Sequence, residues 1–258
     1  MLKNRVIPTL LWKDFGLVKG VGFNSWRRVG SVLPAIKVYN QREVDELILV
    51  DIVAHLSEED LDFESIYDFG QDCFVPLTVG GGIRNIEQVK KLLRVGADKV
   101  CVNTHAYVNP ELVSEIAKLF GTQCIVASID VAKNKDNGIW ECFSQAGKNP
   151  TGKNALDWAI EMEKRGAGEI LITSIEKDGT LEGYDFDLIG EVSSRVNIPV
   201  IASGGAGNYQ HLVDAVKKYN ASAVAAASMF HFTEQTPLGA KNAMEKAGIP
   251  VRRNFIEK

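Results

Sequence analysis

The second half of this chain repeats its first. The segment PLTVGGGIRNIEQVKKLL from Pro76 aligns with PVIASGGAGNYQHLVDAV from Pro199, and VDELILVDI from Val44 aligns with AGEILITSI from Ala167, both at an offset of 123 residues. A repeat of that length is far longer than a solenoid unit. Within it, short apolar, β-rich runs alternate with amphipathic stretches. The runs are 6–11, 46–51, 76–79, 99–103, 124–130, 169–173, 200–203 and 223–227. Each is bounded by Gly, Asn or Asp, or by a switch to helical periodicity, which predicts eight strands. Residues 86–95 and 110–120 read as helices, with Asn85 and Asn109 at N-cap positions and Pro110 at the first helical position. Strands alternating with helices predict a parallel sheet, and eight such units close into a (β/α)8 TIM barrel. An open doubly wound sheet would want a G-x-G-x-x-G turn after its first strand, and Lys13-Asp14-Phe15-Gly16 is not one. The expectation is one barrel domain over residues 1–258, built from half-barrels of about 1–120 and 121–240.

A length of 258 residues suits one such barrel, typically about 250 residues. With 45% hydrophobic residues the chain can bury a full core. The net charge of −4 gives no basic surface for nucleic acid. Basic pairs such as Arg27-Arg28 and Lys90-Lys91 are scattered and read mostly as solvated helix faces. Cys73, Cys101, Cys124 and Cys142 form no C-x-x-C pair, which argues against a zinc site. Cys101 and Cys124 lie in apolar runs and are expected to pack as small hydrophobes. The N-terminal stretch lacks the apolar core of a signal peptide, and no run reaches the roughly 18 apolar residues of a membrane span. The expectation is a cytoplasmic protein that binds no membrane or nucleic acid and uses no metal or cofactor. The end, 249–258, reads as polar and partly loose.

The third predicted strand runs into Gly80-Gly81-Gly82, and the seventh into Ser203-Gly204-Gly205-Ala206-Gly207. Glycine lets backbone N–H groups approach an anion, and the next helix adds its positive end. The neighbouring strands end in Asn103-Thr104 and Ala227-Ser228, which add hydroxyl, amide and N–H donors. Glycines here also serve tight turns, but two repeat-related copies point to two phosphate sites. Two sites on opposite sides of one barrel mouth suit a substrate with a phosphate at each end.

Motifs along nearly the whole chain resemble HisF, the cyclase subunit of imidazole glycerol phosphate synthase. They are Ile7-Pro8, Lys13-Asp14, Val18-Lys19-Gly20, TVGGGIR (78–84), GADKV (96–100), PTG (150–152), GAGEILITS (166–174), KDGT-x-x-GYD (177–185), PVIASGGAGN (199–208) and AAAS-x-FHF (225–232). The resemblance implies a (β/α)8 barrel that takes ammonia from a glutaminase docked at its N-terminal face. It also implies conversion of a bis-phosphorylated formimino-carboxamide ribonucleotide to imidazole glycerol phosphate and a carboxamide ribotide. By the same resemblance Asp130 is the general acid/base and Lys19, in a long loop after the first strand, assists. Asp178-Gly179 joins Gly81, Gly82, Asn103, Thr104, Ser203, Gly204, Gly205, Ala227 and Ser228 around the phosphates. Arg5, Glu46, Lys99 and Glu169, four charges at strand starts, coincide with the ring that gates ammonia in HisF, and Asp98 beside it would face the glutaminase.

One position departs from the family. Its second catalytic aspartate belongs where this chain has Leu11. Asp14, Asp51 and Asp178 lie nearby in sequence terms, and none is an obvious replacement. A retained gate with an altered catalytic strand resembles a HisF-like paralogue group, which accompanies a glutaminase and a sugar amidotransferase in surface-polysaccharide (lipopolysaccharide) biosynthesis. A third reading, the related phosphoribosyl isomerase barrel, needs no gate and also expects an aspartate on the first strand.

Overall fold

In the computed structural model, residues 3–14, 16–54, 60–135 and 137–253 are described. Strand β1 (Arg5–Lys13) runs into a hairpin of β2 (Gly16–Val21) and β3 (Asn24–Gly30), then helix α1 (Val32–Gln41). There follow β4 (Leu47–Asp51), α2 (Phe63–Gln71), β5 (Leu77–Gly80), α3 (Ile86–Arg94), β6 (Lys99–Val102), α4 (Thr104–Val108) and α5 (Glu111–Phe120). The second half repeats this order. Strand β7 (Ile125–Lys133) leads into a hairpin of β8 (Trp140–Ser144) and β9 (Asn149–Asn154), then α6 (Ala155–Lys164) and β10 (Glu169–Ser174). Then come α7 (Phe186–Arg195), β11 (Val200–Ser203), α8 (Tyr209–Tyr219), β12 (Ala223–Ala226), α9 (Ser228–Phe232) and α10 (Pro237–Lys246).

Strands β1, β4, β5, β6, β7, β10, β11 and β12 pair in that order, all parallel, and β12 returns to β1. This is a closed (β/α)8 barrel. Side chains alternate along a strand, so each barrel strand feeds two apolar layers. Inward residues Ile7, Ile48, Cys101, Val126, Leu171 and Ile201 fill the barrel. Outward residues such as Val6, Leu10, Leu49 and Val100 meet the helices. Helix α3 shows why the helices form where they do. The Asn85 side chain caps it by accepting from the Gln88 N–H, Glu87 sits in its first turn, Lys91 and Arg94 sit in its last, and Val89 and Leu92 are buried.

Several expectations change. Asn109 does not cap the helix after β6. A short helix, α4, occupies 104–108, Asn109 closes it through an N–H bond to His105 O, and Pro110 is the cap of α5. Arg27 and Arg28 lie on strand β3, not on a helix, and the Arg27 guanidinium stacks 3.6 Å from the Phe232 ring centre. Cys101 is buried inside the barrel, but Cys124 is only half-buried, with its thiol directed at Phe120 O. The C-terminal segment is anchored further than expected. Ile249 and Val251 are buried and Val251 pairs with Asn4, whereas 254–258 lie outside the described residues. Helix α10 is tied to the barrel floor by a buried ion pair, Lys241 to Asp45 at 2.7 Å, and Asp45 also accepts from the Val6 N–H. Among the described residues, no helix is long and apolar enough to cross a membrane.

Candidate functional site

The C-terminal ends of all eight barrel strands open into one cavity. Leu11, Asp51, Gly81, Asn103, Asp130, Thr173, Gly204 and Ala227 each line it from a different strand or the residues just past it. A parallel barrel gathers its strand ends in this way, so residues far apart in sequence share one mouth.

The two glycine turns face each other across that mouth. Gly81 has φ +100° and Gly204 has φ +84°. A Cβ on Gly81 would lie 2.0 Å from Asp51 O, and one on Gly204 would lie 2.6 Å from Ser174 O. Asp51 and Ser174 are themselves related by the 123-residue offset, so both turns are glycine for the same steric reason. Gly82, Asn103, Thr104, Ser203, Gly205, Ala227 and Ser228 line the same cavity. Buried polar atoms there lack partners among the described residues: Asn103 Oδ1, Ser228 Oγ and Thr9 Oγ1. Thr104 Oγ1 accepts from the Gln145 N–H, which leaves its own hydrogen to donate.

Asp130 ends the inward row of β7 within the mouth. Burial raises its pKa, the nearby Asp178 charge adds to the effect, and the value reaches about 7. The Asn103 amide donates to its carboxylate at 2.9 Å. Such a group can hold or release a proton near neutral pH. Leu11 also lines the cavity, so the wall of β1 presents an apolar side chain where the family resemblance expects a carboxylate. Asp14 is exposed and does not line it. The Asp51 carboxylate accepts from the Val53 and Ala54 N–H groups at 2.9 Å.

Lys19 is not in an irregular loop. It lies on β2, whose Val18 pairs with Leu11 of β1, and it is buried. Its ammonium is ion-paired with Asp178. Burial raises the Asp178 pKa, and the charge and hydrogen bond of Lys19 act against that rise. Asp178, expected beside a phosphate, therefore spends its charge on Lys19. Gly179, expected in the same role, lets the hairpin come close: a Cβ there would lie 2.2 Å from Gly20 O. The Gly22 N–H also donates to Asp178 O. The β2–β3 hairpin thus folds against the β10–α7 connection, and Phe23 and Trp26 from it line the cavity. No periodicity in the sequence marks those two aromatics. Thr9 and Thr173 were legible in principle, since each lies on the same inward row as a residue already singled out. Arg84 and His105 also line the cavity.

At the opposite end of the barrel, Arg5, Glu46, Lys99 and Glu169 form a closed ring. Arg5 pairs with Glu46 at 2.9 Å and with Glu169 at 2.8 Å, and Lys99 pairs with Glu46 at 2.7 Å and with Glu169 at 3.1 Å. Above the ring lies the apolar interior of Ile7, Ile48, Val126 and Leu171, and above that the mouth. Asp98 accepts from the Leu77 N–H at 2.8 Å beside this ring. Among the described residues, no group of three or more His, Cys, Asp and Glu could hold a metal ion.

The sequence model of the family described as histidine biosynthesis protein matches residues 5–236. That span runs from the first residue of β1 to the N-cap of α10 and takes in the ring, both glycine turns and Asp130. The chain therefore belongs to the histidine biosynthesis protein family and has its (β/α)8 barrel.

Proposed function

We propose that the chain is a HisF-type barrel that receives ammonia from a glutaminase at its N-terminal face. The ammonia then reacts at the C-terminal mouth with a substrate that carries a phosphate at each end. The observation that carries this reading is the closed ring of four ion pairs beneath an apolar interior that leads to the mouth. An isomerase barrel would have no use for such a ring. Ion pairs that exchange partners can plug a pore to ions and still part at modest cost, because partly solvated pairs contribute little each. Ammonia is neutral and passes an apolar interior more readily than ammonium. At the mouth, Asp130 would move the protons that imine formation and ring closure require, and the β2–β3 hairpin would exclude water from the reactive intermediate.

Leu11 favours one destination for that ammonia over another. The cyclase reaction of the family uses two carboxylates, and here the wall across from Asp130 offers none from β1. This supports a barrel that delivers ammonia within a glutaminase and sugar amidotransferase system over a complete cyclase of histidine synthesis. The test is turnover of the formimino ribonucleotide by the purified barrel with excess ammonium salt, beside a Leu11→Asp variant. The expected result is little turnover by the wild type and a gain of about 10²–10⁴-fold in the variant, the usual worth of a general acid or base. Full turnover by the wild type would return the chain to cyclase chemistry.

A further inference from the structure

We propose that the two ends of the mouth are unequal anion sites, and that Arg84 makes the Gly81–Gly82 end the one that takes a phosphomonoester dianion first. This rests on the reading of the mouth as a holder of two phosphates, and adds which end is stronger and why.

The repeat lets the two ends be compared position by position. Gly81 and Gly82 correspond to Gly204 and Gly205, and all four have positive φ. Asn85 and Asn208 then cap α3 and α8 with the same backbone, φ −154° at each, and each side chain accepts the N–H three residues on. The scaffold is therefore the same at both ends, and the side chain before the cap is not. In the first half it is Arg84. In the second it is Gly207, where a Cβ would lie 1.8 Å from Leu181 O. The β10–α7 connection fills the space that Arg84 occupies in the first half, so the second end cannot carry a side chain there.

Among the described residues, Arg84 is the only lysine or arginine that lines the cavity. One of its N–H groups donates to Ala54 O at 3.2 Å, which holds the side chain beside the Gly81–Gly82 turn. The nearby Asp51 carboxylate is occupied by two backbone N–H groups. His105, also at this end, has its pKa lowered by burial and by Arg84, so the imidazole is neutral near pH 7 and the guanidinium supplies the charge. At the second end the position matching His105 falls at Met229, which is fully buried. There a phosphate has backbone N–H groups and the unpartnered Ser228 hydroxyl, and the carboxylate of Asp178 also lines the cavity. A guanidinium offers charge-assisted, fork-like hydrogen bonds that neutral donors do not match.

The consequence is orientation. A substrate with two unlike ends is seated with its more strongly anionic end at β5 and β6, which fixes the face its middle turns to Asp130.

The test is a titration of the isotopically labelled full chain with inorganic phosphate, following the backbone amide signals of Gly82 and Gly205 by NMR. The Gly82 midpoint should fall at a phosphate concentration about tenfold below that of Gly205. Arg84→Met should remove the difference and leave the Gly205 midpoint where it was, while Arg84→Lys should restore part of it. If both amides respond with the same midpoint in the wild type, or if the gap survives Arg84→Met, the inequality is wrong while the two-phosphate reading stands. If neither amide responds, the two-phosphate reading falls and this inference falls with it.

Discussion

Asp130 holds its proton at a pH where an ordinary aspartate has lost it. Burial and the charge of Asp178 raise its pKa to about 7, against a model value of 3.8. A carboxyl whose folded-state pKa is raised binds its proton more tightly in the native state than in the unfolded one. Its contribution to stability is therefore complete below pH 4 and declines until the pH passes 7. Asp130→Asn keeps the shape and cannot ionise. Its stability relative to the wild type should rise between pH 4 and 7 and level off above, by at most roughly 4 kcal/mol, the equivalent of about three pKa units. Denaturant unfolding of both proteins across that range checks this, and a flat difference would mean that Asp130 titrates normally. The identity of Asp130 was legible at the end of a predicted strand, but its pKa was not. That value depends on Asp178 and on the walls of seven other strands. Leu11 was equally legible as a departure, and the structure adds that it faces the cavity and that Asp14 does not compensate for it.

Two hairpins, β2–β3 and β8–β9, escaped the sequence reading. Their strands lack sustained alternation: β3 is NSWRRVG and β9 is NPTGKN, mostly exposed or half-buried. They are strands because they pair with neighbours already in place. The first hairpin is held over the mouth by Lys19–Asp178, by the Gly22 N–H bond to Asp178 O, and by the close approach that Gly179 permits. Removing one partner of a buried pair leaves an uncompensated charge, which typically costs about 3–5 kcal/mol. The hairpin can avoid that cost by lifting off and letting Asp178 hydrate. Lys19→Met should therefore leave the melting of the barrel nearly unchanged and make cleavage within 16–30 by a dilute protease several-fold faster. Unaltered cleavage with a lower melting temperature would mean that the hairpin stays docked and the barrel bears the strain.

The ring at one end of the barrel and the cavity at the other matter only as parts of one molecule. Each of the four ring residues has two partners from the opposite sign, so any single replacement breaks two pairs. With a glutaminase partner, Lys99→Met should lower the glutamine-dependent rate several-fold more than the rate with added ammonium salt, since free ammonia can enter at the open mouth. Arg5→Met should do the same. Equal losses under both conditions would remove the gate from the proposed function and leave the ring a stabilising feature of the barrel floor. The half-chain repeat also has a consequence at this scale. It gives both halves the same turns and caps, and it makes the exceptions to symmetry, Arg84 against Gly207 and Asp130 against Leu11, the positions where the two halves divide their work.

By itself the sequence determined the barrel, its eight strands, the glycine turns and the residues at the strand starts. Those features follow from alternation along a strand, from helical periodicity, and from the backbone freedom of glycine, all of which act over a few residues. Tertiary structure alone decided that Lys19 meets Asp178, 159 residues away, and that Arg84 is the one described lysine or arginine at the cavity wall. It also decided that four separated charges close into a ring and that Asp130 titrates near neutrality. Burial and electrostatic neighbourhood are sums over groups that only barrel closure brings together, and no local pattern in the chain records those sums.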